Sequence, residues 1–167
     1  MKRATVILST VLALMALSAL MLSIASAAPA APTEKVTFTK SASDTTPNVG
    51  DVLTFVLFFA PTGELTQNVR IQITDPNPAP AYLSIVTDAI GGGAAYSDTI
   101  DAIVWTGHLV PGSAGRYVPY QMQVTGIPTP SLSTGYPVTN TATMVDLTTP
   151  KSLPDTETQS PIRIMPQ

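Results

Sequence analysis

The sequence predicts an all-β fold, a two-sheet antiparallel β-sandwich, and three observations carry that prediction. Sixteen prolines and ten glycines in 167 residues imply many turns and little helix. Beyond the N-terminal apolar run, no window combines an i, i+3, i+4 apolar stripe with freedom from these breakers. Short β-branched runs instead alternate with Pro, Gly, Asn and Asp clusters, at the spacing of a sandwich or barrel.

The elements follow in order. Residues 36–40 (Val-Thr-Phe-Thr-Lys) alternate with period two and predict a first strand. Thr46, Pro47, Asn48 and Gly50 make a turn. Residues 52–59 form the strongest strand, with Leu53, Phe55, Leu57 and Phe59 on one face and Val52, Thr54, Val56 and Phe58 on the other. Both faces are apolar, so this strand is central or covered on its second side. Residues 69–74 place Val69, Ile71 and Ile73 inward. Residues 75–80 contain three prolines, which argues against a strand there. Residues 82–87 and 103–106 are shorter candidates, the latter with the only Trp. Residues 115–125 put Val118, Tyr120, Met122 and Val124 on one face, and 138–145 put Val138, Asn140, Ala142 and Met144 on one face. The sandwich thus spans 36–146, and 147–167 is expected to be a Pro-rich polar tail.

The N-terminus has the pattern of a secretion signal over residues 1–27. Lys2 and Arg3 precede an uncharged run of about 21 residues, long enough to span a bilayer as an anchor. Ala25-Ser26-Ala27 then offers small residues at both specificity positions of a signal-peptidase site. Ala and Ser in the run, with Pro29 and Pro32 just beyond it, favour cleavage after Ala27 over anchoring, and no Cys is present to carry a lipid. Residues 28–35 would form an extended leader. The expected location is secreted or cell surface, with no membrane contact after cleavage.

Composition narrows the function. After cleavage six Lys and Arg face eleven Asp and Glu, a net charge of −5. The basic residues Lys35, Lys40, Arg70, Arg116, Lys151 and Arg163 are scattered, so nucleic acid is not an expected partner. With no Cys there is no disulfide framework, thiolate metal site or Cys nucleophile. Sheet packing alone must hold the fold.

Several motifs together resemble a known family. Lys40-Ser41-Ala42, Val49-Gly50-Asp51-Val52-Leu53-Thr54-Phe55, Asn68-Val69 and Ile73-Thr74-Asp75-Pro76 occur in that order. Trp105-Thr106-Gly107, Leu109-Val110-Pro111-Gly112-Ser113, Tyr120-Gln121-Met122-Gln123-Val124 and Val138-Thr139-Asn140-Thr141-Ala142 complete the series. The series resembles the bacterial conserved repeat domain, also called domain of unknown function eleven, over residues 34–146. The resemblance implies an immunoglobulin-like sandwich of secreted and cell-surface proteins, with no enzyme activity and no known ligand. Ala60-Pro61-Thr62-Gly63 departs from the family's Asn-Thr-Gly turn, and the chain holds one copy of a unit that usually repeats.

No residue set supports catalysis, a metal or a cofactor. His108, the only histidine, follows Gly107 in a turn and lacks the further N or S ligands zinc needs. No Gly-x-Ser-x-Gly elbow accompanies it. Asp98 and Asp101 are close enough to suggest paired carboxylates, but a solvated loop fits them better. Asp44, Asp51, Asp75, Asp98 and Asp101 are turn acids without an Asp-x-Asp-x-Asp-Gly calcium loop. Gly91-Gly92-Gly93 lacks the ending of a phosphate cradle. Leu153-Pro154-Asp155-Thr156-Glu157 has Glu where a sortase signal needs Gly. Trp105 is expected between the sheets, and Asn140 is expected to bond backbone groups at a corner.

Two features point to an interface. Val52, Val56 and Phe58 make an apolar second face, either a contact surface or one covered by a loop. Residues 28–35 and 160–165, the latter with Ile162 and Ile164 alternating with Arg163 and Met165, could each add a strand to a neighbour's sheet. The expected function is a secreted, non-catalytic structural or adhesive module, self-assembling or bound to a cell-surface protein. The alternative is a monomeric carbohydrate-binding module using Tyr96, Trp105, Tyr117 and Tyr136.

Overall fold

The computed structural model describes residues 36–62, 65–128 and 133–166. The signal pattern over 1–27 and the leader 28–35 lie outside the described residues. Among the described residues there are nine strands: β1 (Val36–Ala42), β2 (Val52–Pro61), β3 (Val69–Pro76), β4 (Leu83–Val86), β5 (Ala95–Ser97), β6 (Ala102–Leu109), β7 (Arg116–Val124), β8 (Tyr136–Asp146) and β9 (Thr156–Ile164). A 3-10 turn, Thr87–Ala89, follows β4, and no described segment is α-helical.

The strands form two sheets, β1-β2-β7-β4 and β5-β6-β3-β8-β9, and every strand pair is antiparallel. Their facing sides alternate as the period-two pattern requires. Leu53, Phe55, Leu57 and Phe59 of β2 and Val118, Tyr120, Met122 and Val124 of β7 are buried. Val69, Ile71 and Ile73 of β3 and Val138, Ala142 and Met144 of β8 meet them from the other sheet. Each fully buried Leu, Ile or Phe contributes about 1.5–3 kcal/mol relative to exposure. Trp105 of β6 lies between the sheets as expected, its ring 4.7 Å from that of Phe59 and its Nε1–H donating to the Gly92 carbonyl at 3.1 Å. The outer edge of the indole lies against Gly107: a Cβ there would come within 2.5 Å of the ring.

Three expectations need correction. The segment 147–167 is not a polar tail beyond the sandwich. Its residues Thr156–Ile164 form β9, paired with β8 from Tyr136↔Ile164 to Met144↔Thr156, so the sandwich extends past Asp146. Ile162 and Ile164 are 3% and 0% exposed; the alternation that suggested a docking strand serves this chain's own core. The C-terminal edge of β9 is also sealed, because Arg163 N–H donates to Thr45 O at 2.7 Å and Met165 N–H to Pro47 O at 2.8 Å. Asp75 and Pro76 belong to β3. Pairing with β6 runs to Pro76↔Ala102, whereas pairing with β8 stops at Thr74↔Thr143, so the proline sits where one neighbouring ladder has already ended. Finally, Ala95–Ser97 forms a short strand paired with β6, in a stretch where the sequence reading placed no strand.

Asp146 makes the return to β9 possible. Its carboxylate accepts the N–H groups of Thr148 (2.7 Å), Ser152 (2.7 Å) and Leu153 (2.9 Å). Burial alone would raise its pKa, but the N–H donors of Leu153, Thr148 and Ser152 and the Thr148 hydroxyl outweigh it and hold the carboxyl below 3.8. The stability this confers is present above the unfolded carboxylate pKa and is lost as pH falls through the lower folded value. Asp146→Ala is expected to cost about 1–3 kcal/mol in urea denaturation at neutral pH, since the buried Leu153 N–H and the partly buried Thr148 and Ser152 N–H groups lose their acceptor. Asp146→Asn is expected to flatten the fall in stability below pH 3.8.

Candidate functional site

Two regions stand apart from an ordinary sandwich. The first is the outer face of the β1-β2-β7-β4 sheet. By strand alternation this face carries Thr37, Thr39 and Ser41 of β1, Val52, Thr54, Val56 and Phe58 of β2, Tyr117, Pro119, Gln121 and Gln123 of β7, and Ser84 and Val86 of β4. None of these is Asp, Glu, Lys or Arg. Val52, Val56 and Phe58, singled out in the sequence, therefore do share one face. Val52 is 50% exposed, while Val56 and Phe58 are half-buried.

Phe58 is half-covered for an identifiable reason. Its ring sits 4.7 Å from that of Tyr117, across the Phe58↔Tyr117 pair. It also packs on the bare backbone of Gly115, where a Cβ would approach within 2.3 Å. Tyr117 stays 63% exposed. Of the other aromatics proposed for sugar binding, Trp105 is buried, Tyr136 is half-buried edge-on to Tyr82 at 5.9 Å, and Tyr96 donates its hydroxyl to Asp101 at 2.9 Å.

The second region is inside the core. Lys40 of β1 and Tyr120 of β7 come from one sheet, Asp75 of β3 and Asn140 of β8 from the other. Lys40 Nζ donates to Asp75 Oδ1 and Oδ2 at 2.5 and 2.6 Å. The Tyr120 hydroxyl donates to Asp75 Oδ2 at 2.5 Å, and Asn140 Nδ2 donates to the Tyr120 oxygen at 3.0 Å. Asn140 Oδ1 has no partner. The ion-paired side chains are fully shielded from solvent, and Tyr120 and Asn140 are 0% exposed. Nζ also lies 5.3 Å from the centroid of Phe55 and 5.8 Å from that of Tyr120, whose rings stack at 5.5 Å.

Desolvation dominates the electrostatics. Burial lowers the Lys40 amine from 10.5 to about 8, against the pull of Asp75 in the other direction. Burial, and then the charge and hydrogen bond of Asp75, push the Tyr120 phenol well above 10, with the Asn140 contact acting the other way.

Sequence reasoning missed this cluster. Lys40 looked like a scattered surface cation and Asp75 like a turn acid, and Asn140 bonds a phenol, not the backbone. A signal was nonetheless present: Lys40, Asp75, Tyr120 and Asn140 all fall on the inward period of their strands.

The remaining candidates have local partners or lie in solvent. Asp44 accepts Thr46 N–H and Asp51 accepts Asn48 N–H, both at 2.8 Å, as turn acids do. His108 is exposed. Among the described residues no group of three or more His, Cys, Asp and Glu is placed to hold a metal ion, and no helix is long and apolar enough to cross a membrane.

No protein-family model matches the chain, and no curated protein matches it. Solved structures match its architecture. The major pilin SpaD of Corynebacterium diphtheriae aligns with a TM-score of 0.52 at 12% identity, over 75% of this chain and 33% of that one. The collagen adhesin CNA of S. aureus aligns at 0.45 and 9%, over 76% and 48%. A non-cellulosomal cohesin from Archaeoglobus fulgidus aligns at 0.44 and 12%, over 78% and 91%. The chain thus spans a third of the pilin and about half of the adhesin. At these identities the likeness defines a class of fold, the immunoglobulin-like β-sandwich of two antiparallel sheets, and nothing narrower.

Breaking the ion pair from one side is expected to be costly. Asp75→Ala strands the Lys40 ammonium and should lose about 3–5 kcal/mol in urea denaturation. The double change Lys40→Met with Asp75→Leu, which leaves no buried charge, should recover part of that loss.

Proposed function

We propose that this chain is a secreted, non-catalytic structural or adhesive module of the cell surface, of the conserved-repeat type. It works through contact made by the outer face of its β1-β2-β7-β4 sheet. The partner is an extracellular protein, a second copy of the chain included. The single observation that carries this reading is the uncharged face holding Val52, Val56, Phe58 and Tyr117. In a chain of net charge −5 after signal cleavage, a sheet face without one charged side chain avoids the desolvation penalty that buried charges impose on an interface. The apolar centre, ringed by Thr, Ser and Gln, has the composition of an interface core with a polar rim.

The N-terminal signal pattern supports an extracellular location. The fold shared with a major pilin is in keeping with a structural part. A carbohydrate-binding reading has one observation in its favour, the exposed Tyr117 ring on the same sheet face as a Gln–Thr pair, Gln121 Nε2 donating to Thr54 Oγ1 at 3.3 Å.

The test is sedimentation velocity on the purified chain beside a Val52→Lys/Tyr117→Lys variant. Both positions are exposed, so the variant is expected to keep its stability within about 0.5 kcal/mol per site. The wild type should associate with rising concentration and the variant should not. If both stay monomeric, self-assembly is wrong. Binding on a glycan array that is lost with Tyr117→Ala would then establish the carbohydrate reading.

A further inference from the structure

The buried cluster joins a primary amine, a carboxylate and a carboxamide inside an apolar core, and these are the parts of an amide-transfer reaction. We propose that Lys40 and Asn140 form an intramolecular amide bond, with Asp75 and Tyr120 moving the protons, so that β1 and β8 become covalently joined across the sandwich.

Three observations converge on this. First, the amine is desolvated. Lys40 sits against Phe55 and Tyr120 with no exposure, the environment in which a lysine becomes a nucleophile. Second, the carboxylate bridges the two reacting residues. Asp75 takes both hydrogen bonds of the amine and, through the Tyr120 hydroxyl, reaches the Asn140 nitrogen. Third, the Asn140 carbonyl has no hydrogen-bond partner although the residue is 0% exposed. Such a group is uncommon in a native core and calls for an explanation. A carboxamide whose nitrogen is held and whose oxygen has no partner leaves that oxygen free to take a hydrogen bond or proton as charge develops on attack at its carbon. The rigid sheets supply the proximity that makes an otherwise slow aminolysis rapid.

The atoms balance without a cofactor or oxidant. One Nζ proton passes to Asp75, freeing the nitrogen lone pair, which attacks Asn140 Cγ. The Nζ–Cγ bond forms. A proton travels from Asp75 through the Tyr120 hydroxyl to Nδ2, while Asp75 takes the second Nζ proton. The Cγ–Nδ2 bond breaks and ammonia leaves. Amine and primary amide become one secondary amide plus ammonia, in a single turnover. The buried ion pair is thereby replaced by a neutral group. The chain gains a cross-link that its lack of Cys denies it by other means, with the restriction of the unfolded chain that a disulfide would give.

The test is mass spectrometry of the purified protein, intact and after trypsin. The wild type is expected to be lighter than its sequence by about 17 Da, the mass of ammonia. Trypsin cannot cut after an amidated lysine, so segment 36–70 should appear uncut at Lys40 and linked to segment 117–151. Lys40→Arg and Asp75→Asn should have their full sequence mass. A wild type at full sequence mass with a free 36–40 peptide overturns the proposal, whatever the variants do. A loss of 17 Da that leaves 36–40 free places the ammonia loss elsewhere and overturns it equally. Cross-linking that proceeds unchanged in Asp75→Asn overturns the role given to Asp75.

Discussion

The pairing of Lys40 with Asp75 in the core is the interaction on which the rest of this sandwich depends. An ammonium and a carboxylate removed from water each lose several kcal/mol of hydration. Only close approach and further hydrogen bonds offset that. Here the approach requires β1 and β3, which belong to different sheets, to hold one register. Tyr120 and Asn140 then fix β7 and β8 to the same point. A slip of two residues along β1 or β3 would keep the inward alternation but leave a charge unpaired, and one along β7 or β8 would remove a hydrogen bond from the same cluster. The cluster therefore specifies the alignment of the two sheets in a way that Leu, Ile and Val cannot.

That constraint also explains the division of labour between the two sides of the β1-β2-β7-β4 sheet. The inner side is committed to the core and the polar cluster. The outer side of these strands carries no charged side chain, and Val52, Val56, Phe58 and Tyr117 lie there. Chain self-association through sheet edges is restrained at the C-terminal half of β9, which is capped by residues 45–47.

Most of the fold was legible in the chain. The inward sets of β2, β3, β7 and β8 follow from period-two alternation, because a strand half-buried between sheets has no other solution. The place of Trp105 follows from its size and the lack of a disulfide. The uncharged outer face was legible as residues, since Val52, Val56 and Phe58 share a parity. That Tyr117 and Pro119 join them depends on the β2–β7 register. Strand β9 was misassigned because alternation at Ile162 and Ile164 says that a strand forms but not whose sheet it enters. The Asp146-centred return, built from backbone groups, has no sequence signature.

Alternation and turn chemistry are local, and so the sequence alone was enough for an all-β sandwich, its inward faces, the lack of a disulfide and the absence of any catalytic motif. Pairing between distant strands is not local. Lys40, Asp75, Tyr120 and Asn140 are unremarkable in their own segments: a strand-end cation, a turn acid, a core aromatic and a buried amide. Their chemistry exists only once the two sheets face each other, because a low-dielectric interior turns four ordinary side chains into one coupled group.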